Sequence, residues 1–253
     1  MSLVPYVHLD ASLQRVAAGG TVPLSSSEAH HLTTVLRLRP GAAVEVADGA
    51  GGSATAELGD HEVRLVADPR FQPARTPRLR VAQALSKGRK LDEVVRQVTE
   101  LGADGIVPVT AARSVTRLDV AKASRALERW RAIARAASEQ ARRPWRPHVE
   151  PITDPAALVS RRDPLASTAG TVTCLLLVGH PGGRPLPSFG ARAAAAAEVT
   201  LAIGPEGGWT EEELAVMVDG GATTVGLGDT ILRTEHAGAA GLAVLAALLG
   251  RWG

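Results

Sequence analysis

An α/β fold, with a parallel sheet covered by helices and a small β domain ahead of it, is predicted by three observations. Residues 199–249 alternate strand, glycine-bearing loop, helix, strand, glycine-bearing loop and helix, which is the pattern of a βαβ unit. The apolar run 172–178 ends in Gly179-His180-Pro181-Gly182-Gly183, a third strand-end loop of the same kind. Residues 1–74 instead hold short alternating or apolar runs between Gly, Asp and Pro turns. Two domains follow, 1–74 and 75–253.

Within the first, strands are expected at 21–24, 43–47, 54–58 and 62–67. A helix over 27–36, N-capped within Ser25 to Ser27, interrupts them. His30 and His31 are adjacent, so they diverge by roughly 100° around a helix and suit no shared metal. Residues 71–77, with Pro73 and Pro77, read as the linker.

In the second, residues 78–85 form a strand that ends in the basic loop Ser86-Lys87-Gly88-Arg89-Lys90. A helix over 91–101 stops at Gly102, a residue suited to the C′ position. A strand over 105–109 leads to Ala111-Ala112-Arg113-Ser114. The helix over 120–142 carries Arg125, Arg129 and Arg135 broadly on one face and ends in Arg142 and Arg143. Cations at a helix C-terminus are favoured by the dipole, and that role is compatible with phosphate contact. Residues 153–170 read as a surface connection and 185–197 as a bridge to the strand at 199–203. Thr210 is placed as an N-cap, with Glu211 to Glu213 supplying negative charge to the first turn. That helix ends at Gly220-Gly221, a strand follows at 223–227, and a loop over 228–235 opens the last helix, 236–249.

A chain of 253 residues with 45% hydrophobic and 21% charged residues has a globular composition. Aromatics at 3% exclude a multi-base stacking platform. A single cysteine, Cys174, excludes an internal disulfide or a cysteine-rich zinc site; its apolar run makes it a core residue. No metal site is expected. The opening MSLVPYVHLD lacks a basic segment followed by an apolar one, and no apolar run is long enough to span a bilayer, so a soluble cytoplasmic protein is expected. Charge is uneven. Between Arg75 and Arg146, 17 Lys and Arg stand against 7 Asp and Glu, whereas from Ala193 onward 2 arginines stand against 8 acids. A basic middle suggests a face for a polyanion.

Ligands of open α/β sheets sit at the carboxyl ends of strands, where glycines let amides approach them. Neither loop of 199–249 is GxGxxG or GxxxxGK[ST], so neither a dinucleotide fold nor a P-loop is supported. Glycines that merely turn the chain remain the plain alternative.

GPEGG at one strand end and LG..ILRTE.A at the next resemble the C-terminal motifs of the SPOUT methyltransferases. They are similar in particular to the family that methylates N3 of a uridine in 16S ribosomal RNA. SKGRKLDEVVRQVTELGADGIVPVTAARS and AASEQARRPWRP resemble the same family, and His30 to Gly52 resembles its N-terminal module. The resemblance implies a trefoil-knot domain behind a PUA-like β-barrel that binds RNA, a homodimer through the knot, and no membrane. It implies S-adenosylmethionine held by Leu177, Val178, Gly179, His180 and Pro181 after one strand. Ile203, Gly204, Pro205, Glu206, Gly207 and Gly208 follow the next, and Leu227, Gly228, Ile231, Leu232 and Thr234 the last. The partner implied is 16S ribosomal RNA, in the 30S subunit.

Uridine N3 bears a proton, so the site needs an acceptor and a cation for the charge that spreads onto O2 and O4. Arg233, the sole cation between Ala193 and Gly250, is the candidate cation. Glu206 and Glu235 are candidate acceptors, and either could instead pair with Arg233 or hold a loop. Arg37, Arg39, Lys87, Arg89, Arg113, Arg142 and Arg143 are the candidate RNA contacts. The chain departs from the family pattern at Asp229-Thr230, where Pro-Arg is common, at His236, at Gln97-Val98, and at Val4-Pro5-Tyr6. Two other readings stay open: a SPOUT enzyme acting on another base or a ribose 2′-hydroxyl, and a non-catalytic RNA-binding assembly factor.

Overall fold

The structure, a computed structural model, describes residues 4–160 and 174–252. It divides into two units, Met1–Ala74 with Arg135–Arg146, and Arg75–Ala134 with Pro147–Gly253. The helix end expected in the second domain therefore packs with the first unit.

In the first unit, β1 (Tyr6–His8), β2 (Thr21–Pro23), β3 (Ala43–Ala47), β4 (Gly52–Leu58), β5 (Glu62–Leu65) and β6 (Arg70–Phe71) form one sheet. Its order is β1-β3-β4-β5-β2, with β6 on β4. Only β1 and β3 pair in parallel. The inward residues Val7, Val44, Val46, Ala56, Val63 and Leu65 make the core with Leu9, Leu13 and Leu32. β1 and β6 were not foreseen, because three- and two-residue strands carry too little alternation to read. Helix α1 (Ser26–His30) starts at the Ser25 cap, which forms a capping box with Glu28. It then loosens into a π turn over His31–Val35 instead of running on to Leu36. Thr33 Oγ1 donates to the Ala29 carbonyl at 2.8 Å, the back-bonding that bends helices.

The Arg135–Arg146 segment is tied in by charge. Arg135 donates to the His8 carbonyl and pairs with Asp10 at 2.7 Å and Glu28 at 3.2 Å. His8 is buried, with Nε2 on the Arg143 carbonyl at 2.8 Å. Burial pushes its pKa from 6.5 down to about 4, with the carbonyl hydrogen bond opposing. The folded state thus favours the neutral ring, and the unfolded chain takes up the proton first as pH falls. The associated stability is complete above 6.5 and is lost as pH falls toward about 4, a total of about 3 kcal/mol. Denaturant titrations across that window are expected to show the loss in the wild type and a flatter profile in His8→Gln; equal profiles would contradict it.

The second unit is a six-stranded sheet. Its strands are β7 (Arg78–Ala84), β8 (Gly105–Val109), β9 (His148–Val149), β10 (Cys174–Pro185), β11 (Glu198–Ile203) and β12 (Thr223–Gly226). The order is β12-β10-β11-β7-β8-β9, and every pairing is parallel. Both faces are covered, and β8 accordingly reads as a continuous apolar run, while β7 and β11 bury Arg80 and Glu198 as a pair. Leu79, Val81, Ile106 and Leu201 face a core shared with α2 (Lys90–Glu100), α3 (Val120–Gln140) and α7 (Thr234–Leu248). Ala82, Ala84, Val107 and Ala202 face the other core, with α4 (Pro155–Ser160), α6 (Glu211–Asp219) and Trp209. A 3₁₀ turn, Leu186–Phe189, and α5 (Gly190–Ala195) bridge β10 to β11. Helix α7 lies close on the sheet: a Cβ at Gly241 would stand 2.4 Å from Leu201 Cδ2.

Four expectations are corrected here. Strand β10 does not end at Val178: it pairs with β12 on either side of the glycine run and reaches Pro185, while residues 180–183 bulge out between the two pairings. Its register slips so that Val225 faces both Gly179 and Arg184. Helix α7 begins at Thr234, which puts Glu235 in a first helical turn. Helix α4 occupies part of the stretch read as a connection, started by Asp154, whose carboxylate accepts from Ala157 N at 2.8 Å. Cys174 is exposed rather than buried, because it is the first paired residue at the entry edge of β10. The rest of the 153–170 connection, and residues 172 and 173 of the predicted strand, lie outside the described residues. Among the described residues no helix is long and apolar enough to cross a membrane.

Candidate active site

Strands β12, β10 and β11 are neighbours and parallel, so their carboxyl ends emerge side by side. The segments beginning at Leu177, Ile203 and Leu227 therefore share one edge of the sheet. Leu177, Val178 and Ile203 are buried, whereas His180, Pro181 and Gly228 are exposed. Ile231 is 91% exposed, while Leu232 packs against the core. Among the described residues, the backbone amides of Glu206, Gly207, Asp229, Thr230, Ile231 and Leu232 donate to no protein acceptor. Two stretches of free donors thus flank an apolar floor.

A buried hydrogen-bonded chain locks the middle segment to α7. Gln83 Nε2 donates to Thr234 Oγ1 at 3.0 Å, and Thr234 Oγ1 donates to the Gly204 carbonyl at 2.6 Å. Gln83 is fully buried in β7 and was not singled out from sequence. Its signal was present, since a buried polar side chain in an apolar strand needs a partner. Arg113 holds the same segment from outside, donating to the Gly207 carbonyl at 2.8 Å and the Trp209 carbonyl at 3.3 Å.

Glu206 and Glu235 come together, but on Lys90 and not on Arg233. Lys90 Nζ lies 2.9 Å from Glu206 Oε1 and 3.4 Å from Glu235 Oε2. The alternative of an Arg233 pair is therefore set aside. Lys90 is the first residue of α2, placed by the turn at Gly88 and overlooked in sequence as one more cation of a basic loop. Its ammonium is held in the charged form, first by the Glu206 hydrogen bond and also by Glu235. The Glu235 carboxyl lies below its ordinary range, first through the backbone N–H at its own helix start; shielding opposes this and Lys90 adds to it. Its side chain is 15% exposed, against 38% for Glu206. Arg233 precedes α7 in extended conformation with its side chain exposed and uncommitted, free to meet a ligand.

Of the candidate RNA contacts, Arg37, Arg39, Lys87 and Arg89 are exposed. Arg142 is engaged inside the first unit, paired with Glu45 at 2.6 Å and stacked 5.2 Å from the Tyr6 ring centroid. The Arg143 carbonyl accepts from His8, and Arg113 is spent on the Gly207 segment. These last three have structural work that the sequence motif did not reveal. Among the described residues no group of His, Cys, Asp or Glu is arranged to hold a metal ion.

Comparison with known proteins gives a consistent result. A family model described as RNA methyltransferase domain matches residues 73–246, and one described as RNA methyltransferase PUA domain matches residues 24–67. The chain is 34% identical to a ribosomal RNA small subunit methyltransferase E of Mycobacterium bovis, over 92% of this chain and 89% of the relative. It is 30% identical to the Bacillus subtilis protein of the same name, over 90% and 91%. It is also similar to the crystal structure of a ribosomal RNA small subunit methyltransferase E from Neisseria gonorrhoeae bound to S-adenosyl methionine. There the TM-score is 0.82 at 28% identity, covering 97% of this chain and 98% of that one.

Proposed function

The chain belongs to the ribosomal RNA small subunit methyltransferase E family, and on that premise we propose that it methylates N3 of one uridine in 16S ribosomal RNA from S-adenosylmethionine, within the 30S subunit. The observation that carries this reading is the set of three adjacent strand ends with free amides beside an uncommitted arginine. A bent cofactor needs donors along its edges and an apolar slot. The amides of Glu206, Gly207 and residues 229–232, with Leu177, Ile203, Leu227 and Leu232, fit that need. The same reading makes the second unit a trefoil knot, supported by β10 lying between β11 and β12 and by α7 returning over β7 and β11. It makes the first unit a PUA-like barrel and pairs two copies through the second unit. Light scattering tests that pairing by the mass it returns.

When bound, S-adenosylmethionine supplies a methyl group on a cationic sulfur, so the acceptor nitrogen needs only an aligned lone pair. The chain must free that lone pair. Glu206 is the acceptor of the N3 proton: it sits on the segment tip, is the more exposed carboxylate, and is held by Lys90 alone. Glu235 is already engaged by its helix amide and Lys90, which makes it a weaker base and a positioning group. Arg233 stabilises the negative charge on O2 and O4 as the proton leaves.

Glu206→Gln is expected to slow methyl transfer roughly 10²–10⁴-fold, the usual range for removing a general base, with cofactor affinity by calorimetry unchanged. Glu235→Gln is expected to lower cofactor affinity and stability before the rate at saturation. The reverse ranking in single-turnover assays would assign the proton to Glu235.

A further inference from the structure

We infer that a cavity of the second unit, between the start of α3 and the turn after β7, is a subsite for a nucleotide of the substrate RNA, with its phosphate on Arg125 and Lys122. The inference rests on the RNA-modifying reading above. The cavity has a volume of about 250 Å³, just under the usual range for drug-sized ligands and suited to one nucleotide unit. Its floor is apolar, built from Leu85, Leu91, Leu118 and Trp130, and no carboxylate lines it.

The rim is cationic by helical geometry. Lys122, Arg125 and Arg129 are spaced three and four residues apart, which places them on one face of α3. Asp92, buried beneath, accepts from Trp130 Nε1 at 3.0 Å and from Arg129 Nε at 3.1 Å, fixing the floor and one end of the stripe. Lys122 shares its charge with Asp119 at 3.1 Å. Arg125, between them, is exposed, and among the described residues its side chain makes no hydrogen bond or ion pair, with Asp119 acting on it only at longer range. A guanidinium with its donors unoccupied over an apolar floor is what a phosphate linked to a base or ribose would recognise.

Position favours the same ligand. Leu85 and Ser86 directly follow β7, which pairs with β11 in register up to Gln83 and Ile203. The cavity therefore opens on the sheet edge that carries the Glu206 segment, one strand away, and Thr116 Oγ1 ties its wall to the Ser86 carbonyl at 3.1 Å. A flanking nucleotide held here would leave its neighbour within reach of Glu206 and Arg233.

The test is fluorescence anisotropy of a labelled 16S RNA transcript with the full chain, read as affinity against salt concentration. Arg96→Gln serves as a control that removes one exposed charge of the same unit outside the cavity lining. Arg125→Gln is expected to weaken binding several-fold and to reduce the slope of log affinity against log salt by about 0.7–0.9, with S-adenosylmethionine affinity by calorimetry unchanged. Arg96→Gln is expected to leave the slope as in the wild type. A wild-type slope in Arg125→Gln, or an equal fall in both variants, would overturn the subsite and leave the function standing. Failure of the wild type to bind either the transcript or 30S subunits would overturn both. Uridine 5′-monophosphate binding through Arg125 without transcript binding would replace the RNA by a free nucleotide.

Discussion

Arg233→Ala is expected to lower the methyl-transfer rate by about 10²–10³-fold, the effect of removing one donor aimed at developing negative charge. Cofactor affinity should not change. Arg233 stands immediately before α7 with its side chain in solvent and, among the described residues, no carboxylate partner, since Glu206 and Glu235 are both held by Lys90. Its loss therefore removes a charge without orphaning a buried one, and stability should hold. Lysine should restore little of the rate, because a point charge does not reproduce the planar fork that meets two oxygens. The measurement is single-turnover methyl transfer at saturating RNA, with calorimetry for the cofactor. A rate within a few-fold of wild type would remove Arg233 from the chemistry and favour a target whose nucleophile needs no charge stabilisation, such as a ribose hydroxyl.

Gly183→Ala is expected to damage the sheet itself. A Cβ there would lie 2.4 to 2.6 Å from the backbone of Val225, and backbone cannot swing aside as a flexible side chain can. The insertion is resisted from both sides, because Val225 faces Gly179 and Arg184 at the register slip of β10. Overpacking of this kind costs about 3 kcal/mol, which corresponds to a fall of roughly 10 °C in the unfolding midpoint for a unit of this size. S-adenosylmethionine binding should weaken with it, since β10 and β12 carry two of the three segments proposed to hold it. Thermal unfolding of the variant checks the first effect and calorimetry the second. A variant as stable as wild type would mean that β10 and β12 separate without cost, and the shared edge would lose its rigidity.

Much of this was legible in the chain. The Thr210 cap with Glu213 three residues on is a local signal, and the helix starts where it says, with the Glu213 carboxylate on Thr210 N at 2.9 Å. Strand 43–47 is equally local, alternating between turns, and its bounds are those observed. What was not legible depended on distant partners. Lys90 looks like any cation of a basic loop until the sheet order brings Glu206 and Glu235 to it. Arg142 and Arg143 read as a phosphate-binding helix end because nothing nearby in sequence indicates that Glu45, Tyr6 and His8 engage them. The return of β10 to β12 at Arg184 and Pro185, after the bulge at residues 180–183, is not a local signal, since the Gly and Pro run marks only a turn. That return is held by Val225 and Gly226 of β12, and only the pairing explains it.

The central claim is best tested by methyl transfer from labelled S-adenosylmethionine to 30S subunits and to free 16S RNA, both from a strain lacking the activity, with mass spectrometry of the product nucleoside. The account predicts N3-methyluridine at a single position, with assembled subunits the preferred substrate. Another methylated nucleoside, or no incorporation by a chain that binds the cofactor, would contradict it.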